Sequence, residues 1–213
     1  VSAGTETAVR RRRPGRSATV AIAVLVLLGV AALVAIPLGG WSTATLRTAE
    51  IPELAVGETY AGRHFSVSIE EAWVGETMPD DYDVPEEGMT FVVVRAVLRN
   101  EWVETDSGAA GLLLFDALDA LKPIDRDALV RVVADGTWTS ALPPGVETEV
   151  LLRWEVPLGS VTAGEPLELH IVDGRPDRAV LYSGTIWRDE HAAVRVTLVP
   201  HPSDELVYPW SHG

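Results

Sequence analysis

The 213-residue sequence has no cysteine. That excludes disulfides, thiolate metal sites, a cysteine nucleophile and a lipidated cysteine anchor. Several chemistry-bearing motifs are also missing: there is no P-loop, GxGxxG fingerprint, GxSxG elbow or HExxH pair. Basic residues become scarce beyond Trp41. From Ser42 onward, twelve Lys and Arg stand against thirty Asp and Glu. A domain so acidic is a poor partner for nucleic acid or anionic lipid, since both need compensating cations. No internal repeat, low-complexity tract or convincing amphipathic helix appears.

The opposite charge is collected at the start. Arg10, Arg11, Arg12, Arg13 and Arg16 face a single acid, Glu6, before Trp41. Directly after them, Ser17 to Trp41 carry no charge at all. The apolar part, Ala18 to Leu38, matches the roughly 20 residues that a helix needs to cross the hydrocarbon core. The flanking arginines predict a cytoplasmic amino terminus, and Trp41 stands where an interfacial aromatic would sit. This reading gives a basic cytoplasmic segment over 1–17, a single transmembrane helix over 18–41, and a cell-membrane protein whose remainder is extracytoplasmic. The alternative is a cleaved signal sequence, with "STA" ending at Ala44 as the cleavage site and a secreted product.

Residues 42–62 read as a stalk, punctuated by Pro52, Gly57 and Gly62. Beyond it, period-two patterns dominate. In "HFSVSIEEAW", Phe65, Val67 and Ile69 alternate with Ser66, Ser68 and Glu70. In "GMTFVVVRAVLRN", Val92, Val94, Ala96 and Leu98 share one face. Phe91, Val93, Arg95, Val97 and Arg99 share the other, so the arginines belong on a partly solvated sheet face. "GLLLFDA" and "DALVRVVADG" read as further short strands. Val150, Leu152, Trp154 and Val156 share a face in "LPPGVETEVLLRWEVP", and Leu167, Leu169 and Ile171 do so in "EPLELHIVDG". "AVLYSGTIW" and "AAVRVTLVP" add two more strands. The segment 201–213, rich in proline and without a period, reads as a mobile tail. Short strands separated by Gly and Pro predict an antiparallel β-sandwich over 63–200.

"FVVVRAVLRN" followed by "LPPGVETEVLLRWEVP" resembles a bacterial extracellular family, domain of unknown function 4352. The matching positions are Asn100 at a strand end, the Pro144–Gly145 turn, and the aromatic–x–x–Pro close formed by Trp154 and Pro157. The resemblance runs from about Val56 to Leu198 and implies an immunoglobulin-like antiparallel sandwich of about 7–9 strands. It carries over no catalytic residue and no cofactor. Relatives are often tethered as lipoproteins, whereas this chain, without cysteine, is expected to use the hydrophobic helix instead.

On the residues themselves, Pro144–Gly145 suits a tight turn. Trp154 reads as a core anchor, and Asn100 as a strand end fixed by a side-chain to backbone bond. The densest polar cluster is Asp80, Asp81, Asp83, Glu86 and Glu87. Carboxylate oxygens suit Ca²⁺, but the spacing is not an EF-hand, and a solvated acidic loop is the simpler reading. The histidines, His64, His170, His191, His201 and His212, are scattered. Trp73, Trp138, Trp154 and Trp187 fall in strand-like segments, while Trp102 and Trp210 read as exposed aromatics that could meet a partner. The expected function is therefore a membrane-anchored binding or assembly module for a protein partner or membrane complex. A Ca²⁺-dependent surface module and an extracytoplasmic hydrolase, whose Ser–His–Asp set would not show in linear order, are the alternatives.

Overall fold

A computed structural model describes residues 51–77, 83–178 and 185–207. The expected transmembrane segment and Trp210 lie outside them. Ten strands occur among the described residues, joined by turns and short 3₁₀ segments. In chain order they are β1 (Glu53–Leu54), β2 (Thr59–Ala61), β3 (Phe65–Gly75), β4 (Met89–Asn100) and β5 (Leu113–Leu114). Then follow β6 (Leu129–Val132), β7 (Glu147–Pro157), β8 (Leu167–Arg178), β9 (Thr185–Leu198) and β10 (His201–Pro202).

The strands form two sheets. One has the order β10-β3-β4-β7-β6, with β2 also pairing β3, and the other the order β1-β9-β8-β5. Pairing is antiparallel except for β1 with β9 and β10 with β3. A single apolar cluster joins the inner faces: Val92, Val94, Ala96 and Leu98 of β4, Val150, Leu152, Trp154 and Val156 of β7, Leu167, Leu169 and Ile171 of β8, and Val194, Val196 and Leu198 of β9. The described part of the chain is thus an all-β sandwich, as the alternation predicts. Each fully buried Val, Leu or Ile contributes about 1.5–3 kcal/mol of hydrophobic stabilisation.

A bulge between Ile69 and Glu71 changes the phase of β3. Phe65, Val67 and Ile69 face the core before it, and Ala72 and Val74 after it. One extra residue moves the inward set from odd to even numbers, which strict alternation does not anticipate. Trp73 is thereby turned to the outer face of the sheet.

That outer face departs from the expectation of a partly solvated surface. Trp73, Phe91, Val93, Val133, Leu151 and Leu206 form a second buried cluster there. Arg95 and Arg99, at its margin, stay out of the core and meet carboxylates instead: Arg95 to Glu71 at 3.0 Å and to Glu149 at 3.6 Å, and Arg99 to Glu101 at 3.6 Å. Leu206 comes from the segment expected to be a mobile tail. In place of a free start, β10 pairs the edge of β3, and a turn over Ser203–Glu205 sets Leu206 into the cluster. Pro202 is accommodated because an edge strand can do without one N–H.

Three further boundaries move. The expected stalk over 42–62 contains two strands, since β1 adds to β9 and β2 adds to β3. "GLLLFDA" yields only the two residues of β5, flanked by 3₁₀ turns over Gly108–Gly111 and Asp116–Ala120 that seat Ala109, Phe115 and Leu118 in the core. Thr185–Trp187 and "AAVRVTL" are parts of one strand, β9, instead of two.

Candidate functional site

Of the positions that carry the resemblance, Asn100 and the Pro144–Gly145 turn meet, while Trp154 and Pro157 lie toward the other end of β7. Asn100, fully buried at the end of β4, donates through Nδ2 to the carbonyls of Glu104 (2.8 Å) and Leu142 (2.9 Å). Its Oδ1 accepts from the Trp102 N–H at 2.8 Å. Gly145, with φ of +71°, donates its N–H to the Asn100 carbonyl at 2.8 Å. Such a positive φ is cheap for glycine and costly for other residues. Trp154 is buried edge to face against Phe115, and its indole donates to the Arg126 carbonyl at 3.0 Å. Pro157 ends β7. All five positions are structural in their contacts.

What Asn100 holds in place is the 101–108 loop, and that loop carries Asp106. The Asp106 backbone bridges Leu142 in both directions, N–H to carbonyl at 3.2 Å and carbonyl to N–H at 2.9 Å. Its carboxylate accepts from the Gly108 N–H at 2.7 Å and from the Trp187 indole at 3.1 Å. His64, at the entry to β3, brings Nε2 to 3.0 Å from Asp106 Oδ2, off the line of a well-directed hydrogen bond. The imidazole stacks on Trp187 with centroids 3.8 Å apart, and Trp102 meets Trp187 edge to face at 5.5 Å. A Cβ on Gly108 would run into the His64 ring, so this close approach requires glycine.

Asp173, at the bulged base of the β8–β9 hairpin, fixes the same corner from the other sheet. Its carboxylate accepts from the Tyr60 hydroxyl (2.9 Å), the Arg63 N–H (3.1 Å) and the Gly174 N–H (2.8 Å). The surroundings set the charges. Burial pushes the His64 imidazole down, outweighing the pull of Asp106 in the other direction. Burial works to raise Asp106, yet the Gly108 N–H, the Trp187 indole and His64 hold its carboxyl below the ordinary range. Asp173 is likewise held down by the N–H groups of Arg63 and Gly174 and by Tyr60, against the effect of burial. Burial first, then the bond to Asp173, push the Tyr60 phenol up to about 12.

His64, Trp102, Asp106, Asp173 and Trp187 line a cleft of about 870 Å³, which also takes in Glu104, Arg126, Asp127, Glu190 and His191. An imidazole oriented by a carboxylate is half of a proton-transfer relay. Among the described residues, no hydroxyl bonds to His64.

Other expected site residues are placed elsewhere. Trp102 is half-buried against Trp187, not the exposed aromatic expected from its position after a strand. In the acidic loop, Asp80 and Asp81 lie outside the described residues. Asp83 pairs with Arg153 at 2.7 Å, the Glu86 N–H donates to the Glu155 carboxylate, and Glu87 is exposed. Among the described residues no three His, Asp or Glu side chains gather as a metal site. The His64–Asp106–Trp187 constellation has no linear signature. Its members come from three distant segments, and only their pairing across the fold joins them.

No family model matches the chain, and no curated protein matches it. Among solved structures it is similar to an uncharacterized β-sandwich protein from Clostridium difficile 630. That protein is 11% identical, and the match covers 70% of this chain and 95% of the other, with a TM-score of 0.42. So weak a likeness carries no argument, and the sandwich rests on the strand pairing described above.

Proposed function

We propose that this protein is a membrane-anchored, extracytoplasmic immunoglobulin-like module that binds a protein partner or a component of a membrane complex. The order β3-β4-β7-β6 facing β9-β8-β5 supports the immunoglobulin-like reading. Taken in chain order from β3 to β9, it corresponds to the ABED and GFC sheets of that fold. The uncharged run from Ser17 to Trp41 behind five arginines supports the anchor.

The observation that carries the binding role is the cleft. Loops of the sandwich hold aromatic and carboxylate groups around an open space, and among the described residues no hydroxyl bonds to His64. Loops on a fixed scaffold are where such domains place recognition surfaces. Crosslinking in intact membranes followed by affinity capture of the full chain tests this. A reproducible protein partner is expected, and a blank across several crosslinker chemistries would overturn the reading.

A further inference from the structure

We propose that the outer part of the β8–β9 hairpin is a hinged flap on the cleft, latched shut by the side chain of Trp187. This goes beyond the binding role proposed above and does not depend on it.

The sandwich supports β8 and β9 over only part of their length. Among the described residues, β5 reaches β8 at His170 and Ile171, and the Leu112 carbonyl accepts from the Val172 N–H. On the other side, β1 reaches β9 at Arg195 and Val196. The core stops at the same level. Among the described residues, Ile171 is the last β8 side chain in it and Val194 the first from β9. Beyond lies a ribbon, Arg175–Arg178 paired with Thr185–Arg188, which no third described strand flanks. Its ion pairs, Arg175 to Asp189 and Arg188 to Asp177 at 2.7 Å, link its two strands to each other. A two-stranded ribbon has little stability of its own.

The joint between the supported and free parts is marked in the backbone. The register slips between Asp173 and Arg175, and on the facing strand Asp189 has a φ of +53°. Such bulges bend a strand. Asp173 clamps the base of the hairpin to Tyr60 and to the Arg63 N–H, so bending falls at Gly174 and Asp189.

Past this joint, Trp187 makes the attachment. Its indole donates to Asp106 Oδ2 at 3.1 Å, its ring stacks on His64 at 3.8 Å, and Trp102 meets it edge to face. All three partners belong to the body of the sandwich, on the 101–108 loop and at the entry to β3. Thr185, Ile186 and Trp187 line the cleft. Release of one side chain therefore frees the ribbon, widens the cleft and uncovers His64.

The chain has no cysteine, so spin labels can be placed in pairs without background. The test uses the full chain in detergent. The pair Asp127→Cys/Arg188→Cys runs from the sandwich to the ribbon, and Asp127→Cys/Glu147→Cys stays within the sandwich. Distances are read by pulsed electron paramagnetic resonance. The ribbon pair is expected to show one narrow distance when Trp187 is present. Trp187→Phe, which keeps a ring but loses the N–H, should add a second distance, and in Trp187→Ala that distance should dominate. The sandwich pair should stay unchanged throughout. A second readout needs no label. Carbethoxylation of His64, located by peptide mapping, should run about tenfold faster in Trp187→Phe than in the native chain. The exposed His201 serves as the internal standard.

An unchanged ribbon distance in Trp187→Ala would mean that the ribbon is held by its own stiffness, and would overturn the proposal. A broad ribbon distance in the native chain would do the same, since nothing would then be latched. Equal broadening of both pairs would reduce the effect to a general loosening of the domain. Equal His64 rates in the native chain and Trp187→Phe would remove the latch.

Discussion

The N–H of Gly145 donates to the carbonyl of Asn100 at 2.8 Å, tying a turn before β7 to the end of β4. The Asn100 side chain adds three more bonds from the same buried point, two to carbonyls and one from the Trp102 N–H. Asn100→Ala removes all three bonds, with the Leu142 carbonyl keeping only the Asp106 N–H. Since each unsatisfied buried group costs about 1–3 kcal/mol, a loss on the order of 3 kcal/mol is expected. The measurement is a urea denaturation midpoint, which should fall with an unchanged slope.

Gly108→Ala tests the packing of the cleft wall. The added methyl meets the His64 ring, which must then leave its stack on Trp187. The expected result is a changed tryptophan emission and near-ultraviolet circular dichroism with the far-ultraviolet spectrum retained. Gly145→Ala, by contrast, should cost about 1–2 kcal/mol through its positive φ and leave the Trp187 environment intact.

The arginines of β4 should matter little to stability. Arg95 is about one-third exposed and its partners Glu71 and Glu149 more so. Glu71→Gln or Glu149→Gln is therefore expected to cost less than about 1 kcal/mol. Leu98→Ala, on the opposite face of the same strand and fully buried, should cost about 2–5 kcal/mol. Chemical denaturation of the three variants side by side gives the comparison.

Acid should destabilise the domain in two stages. The folded pKa of His64 lies below its ordinary 6.5, so between the two values the unfolded chain binds the proton that the folded one refuses. Stability present above pH 6.5 is therefore lost as pH falls below it. Asp106 and Asp173 are depressed from 3.8, so their contribution is present above that value and lost below it. Melting temperature measured across this range should fall in both windows, and His64→Gln should remove the first.

Tyr60 acts at the other extreme. Its phenol is pushed up to about 12 from 10, so the stability it contributes is complete below pH 10 and lost as pH rises toward 12. Ultraviolet titration should show one of the four tyrosines ionising later than ordinary phenols. Tyr60→Phe should remove that late step, and Asp173→Asn should bring it to lower pH.

Much of the scaffold is legible in the residues. Val92 to Leu98, Val150 to Val156 and Leu167 to Ile171 announce their inward faces, because a strand's side chains alternate whatever it pairs with. Asn100 and the Pro144–Gly145 turn are legible as a strand end and a turn, but not as partners. The bulge at Glu70 is invisible because nothing local marks the extra residue.

By itself, then, the sequence determined an all-β chain, its inner faces, its main turns and the contrast between a basic, apolar beginning and an acidic remainder. Those properties depend on side-chain period, backbone preference and composition, all of which are local. Only the tertiary structure decided that Leu206 would cover the outer face of β4, or that His64, Asp106 and Trp187 would share one corner. Such contacts depend on which strands become neighbours and in what register, and that is settled by the packing of the whole sandwich. The cleft belongs to this second kind: its walls come from β5, β8 and β9 of one sheet and from loops distant in sequence, and it exists only when the sandwich closes on a common core.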